Sequence, residues 1–349
     1  MNSRNSMNSG RGNSFNTSRG VGNGLESVRA RFGEQRALET FAQAAQRSKA
    51  QAAAMVNDPS LRFRTLFVLI PHIKAYGVYN DLNERARIAL KLCADMLRDD
   101  ELKKVAAQTR PDNQTEADVL KWMLRTGTQD DGSDNRYAKT LDNAAGLITD
   151  RYHDATVLPH LVDLLFRRAR EGYNIHDLSW VLFHCGDPHM LRLAAGYLRS
   201  AQPKDYELAC ALLHLEPLPE QERAQGRQKQ YQSYVAWLSE NYDYLYPTEE
   251  SFQLKSDPQP FAVDMGAKYL VRPTLLRDPA TAVQAIAVSG ADRLPNEFLT
   301  LSEQEKELLA GYSNKLYKRN RTDWNRFIAQ PVSAQLSEAK QAAQTEGSR

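Results

Sequence analysis

The sequence predicts an all-α fold of stacked antiparallel helical pairs, and the stretch from Thr156 to Leu215 predicts it most clearly. Four segments there, TVLPHLVDLLFRRAREGY, NIHDLSWVLFHCG, DPHMLRLAAGYLRS and PKDYELACALLHL, repeat apolar residues at three- and four-residue spacing, the period of a half-buried helix. In the third, Met190, Leu191, Ala194, Ala195 and Leu198 fall on one side while Arg192, Arg199 and Ser200 take the other, so one stripe faces a core. The second observation is the turn at Gly186-Asp187-Pro188, where Asp187 reads as an N-cap and Pro188 as the first helical residue. The third is that one region, residues 242–279, breaks the helical pattern and stands out as an irregular excursion rich in proline and aromatic residues.

Composition narrows the function classes. With Lys+Arg 45 against Asp+Glu 43 the net charge is +2, so no global field selects a polyanionic partner. The 42% hydrophobic and 25% charged content is that of a globular chain, and the longest apolar run, near Leu66–Pro71, falls far short of the roughly 20 residues a bilayer span needs. Residues 1–24 lack the apolar block of a secretory signal. Cys93, Cys185 and Cys210 are odd in number and lie inside apolar helical patterns, which suits buried thiols in a reducing compartment; a cytoplasmic location is expected.

Along the chain, residues 1–24 read as a disordered Asn/Ser/Gly-rich arm whose Arg4, Arg11 and Arg19 give it a weakly basic character. Leu25–Asn57 is rich in helix formers and predicts one long helix, with Gly33 as its candidate break and Asp58-Pro59 as its stop. LRFRTLFVLIPHIKAYGVY is the most apolar stretch, and Pro71 is expected to kink or divide a buried helix there. Asn80 or Asp81 is the expected cap of the next helix, which continues the stripe through Leu82, Ala86, Ala89, Leu90, Cys93 and Leu97. EADVLKWMLRTG ends at Gly127, and RYAKTLDNAAGLITDRY leads into the 156–215 block. In QKQYQSYVAWLSENY, Tyr231, Tyr234, Trp237 and Leu238 keep helical spacing. Helices resume over Asp278–Val288 and from Leu301, where Ser302 and Glu305 fit a capping box, and a single helical run is expected up to Pro331.

The hairpin from Asp187 to Leu215 has the length of one helical repeat unit. In helix length and spacing the chain resembles an irregular HEAT-like or armadillo-like stack, although tetratricopeptide, ankyrin and leucine-rich signatures are missing from the sequence. The expected organisation is a disordered arm (1–24), a helical repeat-like domain (25–241), the excursion (242–279), C-terminal helices packed on the same domain (280–330) and a flexible tail (331–349).

Six of the seven histidines, His153, His160, His176, His184, His189 and His214, lie in or beside the 156–215 block. His176, His184 and His189 are weak metal candidates, because no H-E-x-x-H or CxxC pair fixes ligand geometry. The acidic run at Asp130, Asp131 and Asp134 is out of register with a calcium loop. A G-x-S-x-G elbow and a phosphate-loop signature are both missing, and Cys185 next to His184 does not place an imidazole on the thiol, since adjacent helical side chains diverge by about 100 degrees. The strongest local charge lies in KLYKRNRTDWNRF, where Lys315, Lys318, Arg319, Arg321 and Arg326 interleave with Tyr317, Trp324 and Phe327; cations neutralise phosphates and exposed rings stack on bases.

The expectation from sequence is therefore a non-enzymatic helical scaffold without a cofactor. It binds a protein partner through a concave helical face and the excursion, with Tyr242, Tyr244, Tyr246, Phe252 and Phe261 as candidate contacts. The alternative is a protein that binds RNA or single-stranded nucleic acid through Lys315, Lys318, Arg319, Arg321, Trp324 and Arg326. A third class is a metal-dependent hydrolase centred on the histidine-rich block.

Overall fold

The computed structural model describes residues 24–130, 134–250, 254–273 and 294–347. Arg4, Arg11, Arg19, Asp131, Phe252 and the helix expected over Asp278–Val288 lie outside the described residues. The chain is mostly helical, as the apolar periodicity predicts, and it divides into two compact units at Asp112/Asn113. That boundary falls in the polar stretch Arg110-Pro111-Asp112, inside the region that the sequence reading draws as one domain over 25–241.

In the first unit the expected long helix is three: α1 (Leu25–Phe32), α2 (Glu34–Arg47) and α3 (Lys49–Val56). Gly33 makes the first break at φ 86°, a conformation that side chains disfavour. Ser48 makes the second. Its backbone is extended and its hydroxyl accepts from the Gln51 N–H, so a residue that helix interiors tolerate acts as an N-cap. α2 buries Ala37, Phe41, Ala44 and Ala45 on one face. α4 (Phe63–Tyr76) runs through Pro71 as one helix, with Pro71 on its exposed side, and ends at Gly77 in the left-handed conformation. The cap of α5 (Glu84–Leu97) is Asn83 and neither Asn80 nor Asp81, because Tyr79–Asp81 first forms a 3-10 turn; the Asn83 side chain accepts from the Ala86 N–H at 2.9 Å. α6 (Asp100–Ala106) follows, capped by Asp99.

Glu26 ties α1 to α4. Its carboxylate accepts from the Thr65 hydroxyl at 2.5 Å, the Arg62 N–H at 3.0 Å and Arg29 at 2.8 Å. Burial alone raises its pKa, but these hydrogen bonds outweigh burial and hold it below the ordinary glutamate value.

The second unit opens with α7 (Asn113–Gly127), α8 (Asn135–Gly146), α9 (Leu158–Glu171), α10 (His176–His184), α11 (His189–Gly196) and α12 (Pro203–Leu212). α9 packs on α11 and α12, and α8 on α7 and α10. The Asp187 carboxylate accepts from the His189 N–H at 2.8 Å and so starts α11 as its sequence position predicts. Arg168, buried on α9, pairs with Asp142 of α8 at 2.7 Å. α13 (Glu220–Asn241) packs on α11 and leads into a 3-10 turn at Tyr242–Tyr244.

The excursion carries a two-stranded antiparallel ribbon, β1 (Leu245–Pro247) against β2 (Phe261–Val263), with Leu245 opposite Val263 and Pro247 opposite Phe261. α14 (Met265–Tyr269) follows, its N-terminus capped by Asp264. The Ser302–Glu305 capping box is present, but the run to Pro331 is divided: Glu303–Arg319 and Arg321–Ile328 meet at Asn320, whose side chain accepts from the N–H groups of Thr322 and Asp323. Val332–Gly347, read from its polar sequence as a flexible tail, is a helix that buries Val332, Gln335 and Ala339. These C-terminal helices and α14 share a core of Tyr269, Phe298, Leu309, Leu316 and Phe327.

A depressed glutamate contributes stability above its unfolded pKa and loses it as pH falls through its folded value. Glu26→Gln is therefore expected to weaken the first unit at neutral pH and to flatten its acid limb below the ordinary value of 4.5. Urea unfolding followed across acidic pH checks this; parallel stability curves for the two proteins would contradict it.

Candidate partner-binding groove

Where α13 passes the ends of α11 and α12, the second unit holds an open groove of about 420 Å³. Its floor and sides are Leu191, Leu212, Leu213, Leu215 and Tyr234, and the excursion closes one wall with Pro260 and Phe261. Trp237 stands on its rim, 41% exposed, with its ring 5.5 Å from that of Tyr234. The polar groups along the groove are largely spent on the fold. Tyr206 donates to Gln230 Oε1 at 2.8 Å and accepts from the Leu218 N–H, while the Gln230 amide donates to the Glu216 carbonyl. Gln230 thereby shows the groove its stem more than its hydrogen-bonding atoms.

His214 shapes the edge. It takes the left-handed conformation, φ 53°, at the end of α12, and the Leu215 N–H then reaches back to the Cys210 carbonyl at 2.9 Å. Helices commonly stop this way on glycine, and a side-chain residue there costs about 1 kcal/mol. The conformation carries the imidazole to the excursion, where Nδ1 lies 2.9 Å from the Asp257 carboxylate.

The aromatic candidates separate. Tyr244 is 4% exposed and donates to Asn314 Oδ1 at 3.1 Å, and burial pushes its phenol up to about 12. Phe261 is buried but reaches the groove wall. Tyr242 is half-buried beneath the Arg192 guanidinium, and Tyr246 is 44% exposed on β1. Tyr242 and Tyr244 lie on the 3-10 turn through 242–244, and of the three tyrosines only Tyr246 lies on the strand.

In the basic segment, Lys315, Lys318, Arg319, Arg321 and Arg326 are exposed. Arg326 pairs with Asp323, and Arg321 lies over the Tyr317 ring. Trp324 is half-buried against Tyr317 at 5.2 Å, and its indole N–H donates to Ser313 Oγ at 2.8 Å. The rings that would stack on bases are thus turned toward the fold while the cations face solvent.

His176 is exposed beside Asp177, His184 lies tilted against the Trp180 ring with Nδ1 2.9 Å from the Trp180 carbonyl, and His189 begins α11. Among the described residues, no group of three or more His, Cys, Asp or Glu side chains converges to hold a metal ion. A second cavity of about 580 Å³ is lined by Thr149, His153, Asp154, Cys185, Asp187 and Tyr242. Its carboxylates are engaged: Asp154 accepts from Thr156 and pairs with Lys121, and Asp187 starts α11. Burial, with the charges of Asp187 and Asp150 adding to it, pushes the Cys185 thiol up to about 11, away from the thiolate a nucleophile needs.

Comparison with protein-family models, with curated proteins and with solved structures finds no match.

Sequence reasoning places Trp237 in a helical stripe with Tyr234 and Leu238 and misses its position on the groove rim. The signal is present: Tyr234, Leu238 and Asn241 follow the buried face, and Trp237 sits one residue off that line. Tyr244→Ala is expected to cost about 3 kcal/mol, since it empties a buried aromatic site, whereas Tyr246→Ala stays within about 0.5 kcal/mol. Thermal and urea unfolding of the two variants measure the difference, and equal losses would contradict the placement of these rings.

Proposed function

We propose that the protein is a non-enzymatic helical scaffold, stacked in the HEAT-like or armadillo-like manner, that binds a protein partner in the groove between α11, α13 and the excursion. The observation that carries this reading is Trp237. It is a large aromatic side chain left 41% exposed at the rim of an apolar groove, on a 22-residue helix that holds it rigidly. Tryptophan is enriched among the few residues that carry most of the binding energy of protein interfaces. The groove also joins rigid helices on one side to a loop wall on the other, an arrangement that recognition sites often use.

What weighs against the nucleic-acid alternative is the commitment of Trp324 to Ser313 and Tyr317, which leaves its ring half-buried beside the exposed cations. What weighs against a metal-dependent hydrolase is that its candidate ligands are set apart: His176 lies beside Asp177, His184 is held by the Trp180 carbonyl, and His189 begins α11.

The test is affinity capture of the full chain from its native lysate, with and without nuclease, using the wild type and Trp237→Ala. A discrete protein partner that survives nuclease and is retained at least about tenfold less by Trp237→Ala, with unchanged thermal stability, is the expected result. Recovery of nuclease-sensitive material alone, or equal retention by the variant, would overturn the reading.

A further inference from the structure

The first unit contains a site of a different kind. A cavity of about 510 Å³ lies among the 3-10 turn Tyr79–Asp81, the first turns of α5 and the segment from Lys104 to Pro111. Three cations line it, Arg87, Lys104 and Arg110, against one carboxylate, Glu84. Among the described residues none of the three cations forms an ion pair. Arg87 is half-buried, and its Nε is covered from solvent without a hydrogen-bond partner.

The wall is braced independently of these charges. Tyr79 donates to the Arg87 carbonyl at 3.2 Å, and its oxygen lies 2.7 Å from the Thr109 hydroxyl, which ties the 104–111 segment to α5. Ile88, Val105 and Pro111 add an apolar flank, with Val105 43% exposed. The volume lies within the range of small-molecule sites, about 300–1,000 Å³.

We propose that this cavity binds a small phosphate monoester, whose phosphoryl group is held by Arg87, Lys104 and Arg110 and whose organic body lies against Ile88 and Val105. Three cations opposed by one carboxylate leave an excess of two positive charges, which matches a phosphate dianion. A carboxylate carries one charge and two oxygens, which a single arginine satisfies; three separate cationic groups suit three terminal oxygens.

Titration of the full chain with phenyl phosphate at low ionic strength, followed by calorimetry, tests this, with benzoate as the carboxylate of the same body. Saturable binding of phenyl phosphate is expected, at least about tenfold tighter than benzoate, and weakened about tenfold by Lys104→Gln or Arg110→Gln. Both side chains are exposed, so these variants keep the fold even if Arg87→Gln does not. Glu84→Gln is expected to tighten binding, an effect that loss of folding does not produce. Failure of phenyl phosphate to bind, equal affinity for benzoate, or affinity unchanged by both lysine and arginine variants would overturn the proposal.

Discussion

The second unit depends on a buried ammonium. Lys268 on α14 is 4% exposed, and its Nζ lies 3.0 Å from the Glu240 carboxylate and 2.7 Å from Asn241 Oδ1 at the end of α13. A buried charge without partners costs several kcal/mol, so α14 is held where the last turn of α13 offers acceptors, and a helix C-terminus is electrostatically a good place for a cation. β2 runs into α14 through Asp264, whose N–H donates to the Tyr244 carbonyl and whose carboxylate caps the helix. The position of α14 thus sets the β1–β2 register and, with it, the wall that Pro260 and Phe261 present to the groove. On its other side, the Tyr269 hydroxyl donates to Gln335, and the Tyr269 carbonyl accepts from the Ser313 hydroxyl, which in turn accepts from Trp324. One short helix therefore couples the excursion to the helices Glu303–Arg319, Arg321–Ile328 and Val332–Gly347.

This coupling explains how the aromatic side chains are distributed. Tyr244, Tyr269 and Trp324 each give their single hydrogen to a buried oxygen, and Phe298, Phe327 and Tyr312 pack around them. Buried hydroxyl and indole groups are tolerated only when bonded in this way, so these rings hold the fold, with Tyr312 and Trp324 half-buried at its edge. Trp237 stands apart because α13 turns it away from the line through Tyr234, Leu238 and Asn241. The groove is apolar for a related reason: Tyr206, Gln230 and the Glu216 carbonyl satisfy one another at its edge.

The helices and their caps are legible in the sequence because they rest on local chemistry. The spacing of apolar residues in α9 to α12, the Ser302–Glu305 box and the stop at Gly127 need only neighbours a few residues away. Ser48 and Asn320 are harder. Each lies in a run of good helix formers, and only its extended backbone distinguishes a cap from an interior residue. The helix Val332–Gly347 escapes a sequence reading because its buried face consists of Val332, Gln335 and Ala339; a glutamine that bonds Tyr269 and the Gln330 carbonyl does not announce burial. The groove and the cationic cavity are illegible for a stronger reason. Leu191, Leu213, Trp237 and Phe261 span 70 residues, and Arg87, Lys104 and Arg110 are separated by ordinary charged helix surface, so each site exists only after tertiary packing.

Whether the groove rim meets a protein decides between a scaffold and a nucleic-acid binder. Photo-crosslinking in the native host, with a photoreactive residue placed at Ser233 on the groove wall or at Lys318 in the basic segment, tests this whatever the partner. A discrete protein adduct from position 233 and none from position 318 is the expected result. Adducts confined to position 318, or nucleic acid crosslinked there with nothing at 233, would contradict it.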